Sequence, residues 1–175
     1  MKLSLVVPCY NEAESVALFQ EAVIQAFDGY GYDYEIIFID DGSKDATLHN
    51  LKKLHAAQRC PVKVVSFSRN FGKEAAISAG LASAKGDCVV VLDCDLQHPP
   101  KTIVEMYRKW EQGFEIVEGV KNYRGNETAI RRGFAKFFYK IISALTGFDM
   151  ENASDFKLLS KQVVSVLDAG DGKTL

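Results

Sequence analysis

The chain has 175 residues, 47% hydrophobic and 25% charged, enough for one sizeable core and short for two, so a single globular domain is expected. A net charge of -2 and a pI near 5.9 exclude a general nucleic-acid binder, whose affinity needs a field of Lys and Arg facing phosphates. The longest uninterrupted apolar run, 88–92, falls far short of the ~18 residues of a membrane span, so a soluble chain is expected.

Short β-branched runs alternate with longer amphipathic patterns. Strands are expected at 3–7, 35–39, 62–67, 88–92 and 115–117, and helices at 14–27, 46–57, 73–84 and 101–112. Helical crossovers of that length join parallel strands, so the fold class is α/β with a mostly parallel central sheet. Such sheets are covered on both faces, as the nearly continuous apolar strands require, and they bind ligands at the carboxyl ends of their strands. Four scattered cysteines, Cys9, Cys60, Cys88 and Cys94, form no CxxC pair and are expected to be reduced and buried. The polar stretch 121–128 is expected to be a mobile loop, and 168–174 a frayed end.

Three of the strand ends carry polar clusters: Pro8-Cys9-Tyr10-Asn11-Glu12, Asp40-Asp41-Gly42-Ser43, and Asp93-Cys94-Asp95-Leu96-Gln97. A lone Asp after a strand is often a helix cap, and Asp41, Ser43 or Asp45 could serve the helix near Ala46. Asp93 and Asp95 are different. On extended chain an i, i+2 pair sends both carboxylates to one side, where they repel unless a cation lies between them. Mg²⁺ or Mn²⁺ takes oxygen ligands and retains room for substrate phosphates, so Asp93, Asp95 and the Gln97 amide oxygen form a candidate metal site. In His98-Pro99-Pro100, which follows, the prolines stiffen the loop and His98 is expected to be structural.

Taken together, Val6-Val7-Pro8-Cys9-Tyr10-Asn11-Glu12, Asp40 to Ser43 and Asp93 to Asp95 resemble the inverting glycosyltransferases of family 2. Their catalytic domains have the GT-A fold, a Rossmann-like three-layer sandwich. Ser68-Arg69-Asn70-Phe71-Gly72-Lys73-Glu74-Ala75-Ala76 and the run from Leu92 to Pro100 resemble the polyprenyl-phosphate branch, which includes bactoprenol glucosyltransferases and dolichol-phosphate mannose synthases.

The resemblance covers about residues 3–167, giving a catalytic domain over 1–168 and a tail over 169–175. It implies nucleotide contacts at Pro8, Tyr10, Asn11, Glu12, Asp40, Asp41 and Asp93, and metal ligation by Asp93, Asp95 and Gln97. Asp155, in Ser154-Asp155-Phe156-Lys157-Leu158, matches a D-F-R-L-like segment with Lys in place of Arg. It is a candidate to orient the acceptor or act as base, beside the plainer alternative of a cap or ion pair. The Q-x-x-R-W motif of processive synthases is absent, and so are the family's C-terminal membrane helices. The resemblance thus implies an incomplete chain, soluble by itself, from a protein at the cytoplasmic face of a membrane; a homo-oligomer is left open.

The expected reaction moves a hexose, with glucose favoured, from a nucleotide sugar, with UDP favoured, to a polyprenyl phosphate. A sugar hydroxyl needs a general base, whereas a phosphate monoester is already anionic near neutrality and needs cations. Arg124, Arg131 and Arg132 are the candidates for the acceptor phosphate, with Lys121 near the transferring group and Asp95 and Asp155 as the other catalytic candidates. The helical pattern 128–145 sets these charges against Ile130, Phe134, Phe137, Phe138, Ile141, Ile142 and Leu145, a face for either the core or a membrane surface. The alternatives are transfer to a saccharide hydroxyl and a truncated nucleotide-binding domain without turnover. A dinucleotide oxidoreductase is disfavoured, because no G-x-G-x-x-G follows the first strand.

Overall fold

A computed structural model of the chain describes residues 1–119 and 156–171. In chain order the elements are β1 (Lys2–Cys9), α1 (Ser15–Phe27), β2 (Asp33–Asp40), α2 (Thr47–Ala57), β3 (Val62–Ser66), α3 (Lys73–Ser83), β4 (Cys88–Val91), α4 (Lys101–Glu111), β5 (Ile116–Glu118), β6 (Lys157–Ser160) and α5 (Lys161–Asp171). The five expected strands and four expected helices are all present, with ends shifted by one or two residues. Strand β6 and helix α5 are additions that the periodicity did not reveal.

The six strands lie in the order β3-β2-β1-β4-β6-β5. Strands β1 to β4 are mutually parallel, with Val6 beside Ile37 and Val91. Strand β6 runs antiparallel to both neighbours, setting Lys157 beside Val91 on one side and Glu118 on the other. The sheet is therefore mixed but mostly parallel, as expected for the GT-A class.

Alternation along each strand divides the core into two layers. Leu3, Leu5, Val7, Ile36, Phe38, Val90 and Leu158 share one with Val16, Phe19, Leu51 and Ile103 of α1, α2 and α4. Val6, Ile37, Ile39, Val89 and Val91 share the other with Ala76 and Ile77 of α3, and Val164 of α5 packs against them. Burial on both faces explains why the inner strands read as unbroken apolar runs. Helix α3 lies so close to the sheet that a Cβ at Gly80 would stand 2.3 Å from Val6 Cγ1.

All four cysteines are buried and free. Among the described residues no helix is long and apolar enough to cross a membrane. The 121–128 loop and the 128–145 helix lie outside the described residues.

Candidate functional site

Parallel strands deliver the loops after β1, β2, β3 and β4 to one edge. There Pro8, Cys9, Tyr10, Glu12, Asp41, Asn70, Gly72, Lys73, Ala76, Asp93, Cys94 and Asp95 line a cleft of about 430 Å³. The three polar clusters do converge, and the stretch between β3 and α3 joins them.

The β1–α1 loop is held by its own polar groups. The Asn11 amide donates to Ser43 Oγ at 3.0 Å, and Asn11 Oδ1 accepts from the Lys44 amide at 2.9 Å. This pairs the loop with its neighbour after β2 and holds Asn11 at a positive φ of 56°, tolerated because a short amide side chain bonds locally. The Glu12 amide donates to Thr47 Oγ1 at 2.7 Å. Tyr10 is left 41% exposed at the cleft mouth.

Asp40 and Asp41, adjacent in sequence, point to different jobs. Asp40 is buried and accepts from the Ser43 amide at 3.2 Å and from Ser66 Oγ at 3.1 Å. Asp41 is also buried but borders the cleft, and its two oxygens accept from the backbone amides of Phe71 and Gly72. Asp45 tethers the start of α2, accepting from the Thr47 amide at 2.9 Å. Hydrogen bonds led by that from the Thr47 side chain hold its carboxyl below the usual range.

The Asp93–Asp95 segment departs from the extended geometry expected of it. The chain leaves β4 at Val91 and turns at Cys94 and Asp95, with Leu96 at a positive φ of 58°. Asp95 Oδ1 accepts from the Gln97 amide at 3.0 Å, which closes the turn. Both acids still border the cleft, whereas Gln97 is exposed and outside its lining. Beside the pair, Lys73 Nζ stands 2.7 Å from Asp93 Oδ1 and 2.9 Å from Oδ2. His98 packs against Phe156, with ring centroids 4.7 Å apart, the structural placing expected of it.

In the lining of the cleft, Cys9 Sγ and Cys94 Sγ lie 3.9 Å apart. The hydrogen bond to Cys94 and then burial push the Cys9 thiol well above its ordinary value, and both side chains are buried. Asn70, Gly72 and Lys73 are lining residues to which composition and spacing gave no role; their signal was the Ser68-to-Ala76 stretch itself.

The residues present fit a hard divalent cation. The cleft offers exposed carboxylate oxygen at Asp95 and further oxygen at Asp93, with four acids against one lysine among the described residues of its lining. Among the described residues no three His, Cys, Asp or Glu side chains gather into a cage; Mg²⁺-type sites need only one or two carboxylates when phosphates complete the shell. Lys121, Arg124, Arg131, Arg132 and Asp155 lie outside the described residues.

Comparison with known proteins bears on the family and the fold. The sequence profile of Glycosyl transferase family 2 matches residues 4–167. The chain is 42% identical over 166 residues to CsbB of Bacillus subtilis, described as a glycosyltransferase, covering 94% of this chain and 50% of that protein. It is 40% identical over 165 residues to the bactoprenol glucosyl transferase of Shigella phage SfV, covering 94% and 53%. Glucosyl-3-phosphoglycerate synthase of Mycobacterium tuberculosis, solved with Mn²⁺, UDP-glucose and phosphoglyceric acid, has the same fold. Its TM-score is 0.60 at 22% identity, over 92% of this chain and 57% of that one. The chain spans about half the length of the curated relatives it matches. With its three strand-end clusters lining one cleft and the profile running almost from end to end, the chain belongs to glycosyl transferase family 2.

Proposed function

We propose that residues 1–168 form the catalytic domain of an inverting glycosyltransferase that moves glucose from UDP-glucose to a polyprenyl phosphate, working at the cytoplasmic face of a membrane. The observation that carries this reading is the cleft that joins Tyr10, Glu12, Asp41, Asp93 and Asp95 at the carboxyl edge of the sheet. The 40% identity to a bactoprenol glucosyl transferase supports the acceptor class, and a fold neighbour solved with Mn²⁺ and UDP-glucose supports the donor and the ion.

Several residues of the cleft and of the loops around it have a job in such a transfer. Tyr10 and Pro8 offer an aromatic and an apolar wall for a base, and Asn11 and Glu12 fix the loop that carries them. Asp40 fixes the loop after β2 from within, and Asp41 fixes the loop ahead of α3 and bounds the nucleoside end. Asp95, with Asp93 and Gln97 nearby, would hold Mg²⁺ or Mn²⁺, which when bound offsets the negative charge of the departing diphosphate. Arg124, Arg131 and Arg132 are assigned to the acceptor phosphate, Lys121 to the transferring group, and Asp155 to orienting the acceptor. A phosphate oxygen is anionic before it attacks, so the reaction asks the protein for alignment and charge more than for a base.

The test is a panel of UDP- and GDP-sugars with undecaprenyl phosphate or soluble saccharides as acceptors, with and without Mn²⁺, using the protein in its membrane. Glucose transfer from UDP-glucose to the lipid phosphate is expected, with Asp95→Ala lowering it at least ~100-fold. Asp155→Asn should lower turnover while leaving UDP binding intact. Transfer to saccharide hydroxyls alone would replace the acceptor assignment, and nucleotide binding without any transfer would leave only a binding domain.

A further inference from the structure

The stretch 68–76 has no role in the chemistry above, yet its geometry converges on one atom. Asp41 takes the amides of Phe71 and Gly72. Gly42 lets the end of β2 lie directly against the same loop, since a Cβ there would stand 2.3 Å from the Arg69 carbonyl carbon. The loop so held ends at Gly72, with φ 97°, and the next residue opens α3. That residue is Lys73, whose Nζ meets both oxygens of Asp93 inside the cleft.

We propose that Lys73 is a donor-binding residue, a built-in counter-cation that holds Asp93 and meets the diphosphate of an arriving nucleotide. The inference rests on the donor class proposed above. Among the described residues, Lys73 is the one cation in a lining that also carries Glu12, Asp41, Asp93 and Asp95, so a diphosphate entering before the ion meets no other positive side chain of that lining. The Lys73 and Asp93 side chains are 36% and 39% exposed, and ion pairs so accessible to water add little to stability. Exchanging the carboxylate for a phosphate oxygen is accordingly cheap, while the charge-assisted hydrogen bond that Lys73 then makes to phosphate is strong. With Asp93 engaged by Lys73, Asp95 is the carboxylate presented to a divalent ion.

The two effects have opposite signs when Lys73 is removed. In the full chain, Lys73→Met should weaken UDP binding without metal at least about tenfold, the worth of one charge-assisted hydrogen bond. The same substitution frees Asp93 to join Asp95, so Mn²⁺ binding to the nucleotide-free protein should tighten several-fold. Lys73→Arg keeps the charge and should retain metal-free UDP binding within a few-fold. Calorimetric titrations of UDP and of Mn²⁺, each alone, read both effects, with the thermal unfolding midpoint as a check on folding. A variant that weakened both ligands together would reveal a merely structural lysine and overturn the proposal, as would unchanged UDP affinity. Should the unmodified chain bind neither UDP nor GDP, with or without Mn²⁺, the donor reading itself fails, and that result is distinct from a Lys73 variant that binds like its parent.

Discussion

Asp41 accepts the backbone N–H of Phe71 at 2.7 Å and that of Gly72 at 3.0 Å, so the carboxyl end of β2 is fastened to the loop ahead of α3. One side chain thereby sets the spacing between two of the loops that line the cleft, and both loops carry lining residues.

Asp41→Ala is expected to destabilise the fold by about 3 kcal/mol, since two amides lose a charged acceptor. Donor binding should fall with it, because the position of Lys73 depends on this loop. Chemical denaturation and UDP titration measure the two effects. Wild-type stability together with wild-type UDP affinity would show that the loop stands without Asp41.

Gly42→Ala is expected to cost about 2–4 kcal/mol. The residue sits at φ 65°, and an added methyl would press on the backbone of Arg69 and Asn70 at 2.3 to 2.7 Å. Neither neighbour can yield as a side-chain tip would. Its unfolding midpoint should drop clearly below that of an Ala substitution at Gly29, which has the same sign of φ and open space around it.

Glu35 anchors the opposite end of the sheet. Burial raises its pKa, but Ser4 Oγ at 2.7 Å, the Lys85 amide at 2.9 Å and Lys2 Nζ at 3.5 Å outweigh burial and leave the carboxyl below its ordinary value. A depressed folded-state pKa gives stability that is present above the unfolded carboxylate value of about 4.3 and is lost as pH falls through the folded one. Stability should therefore decline on acidification below about pH 4, and Glu35→Gln should flatten that decline. Denaturation midpoints at pH 7 and about pH 3 test this; equal slopes for the two proteins would remove Glu35 from the account.

The thiols should be slow to react. Burial, with smaller contributions from Asp87 and Glu111, pushes Cys88 up to about 12, and burial also raises Cys60. Thiolate is the reactive form. Disulfide-exchange reagents at pH 8 should label the native chain at least tenfold more slowly than the guanidine-unfolded chain, in which all four thiols become available. Fast stoichiometric labelling of native Cys88 would contradict its burial.

Much of this protein is legible in its sequence because the information is local. Apolar runs such as Val89-Val90-Val91 and the three-to-four spacing of 101–112 set strand against helix by periodicity alone, and alternation of the two forces parallel pairing. Parallel pairing in turn collects the strand-end loops at one edge, so Tyr10, Asp41 and Asp95 can be grouped from the order of residues alone. The four-residue β6 escapes because Lys157, buried on the strand and paired with Glu118, reads as a surface residue, and so short a segment carries no period.

What only the tertiary structure decided are relations between residues far apart in the chain. The insertion of β6 between β4 and β5 rests on hydrogen bonds to partners some 40 to 70 positions away. The division of labour between Asp40 and Asp41, identical neighbours in sequence, depends on which one the strand turns toward Ser66 and which toward Phe71. The repulsion between Asp93 and Asp95 pointed, in the sequence, to a divalent ion; that Lys73 also meets Asp93 depends on the packing of α3 against the sheet. Sequence fixes which groups exist and how they recur along the chain, whereas the chemistry of the cleft depends on distances through space, and those are set only when the layers close.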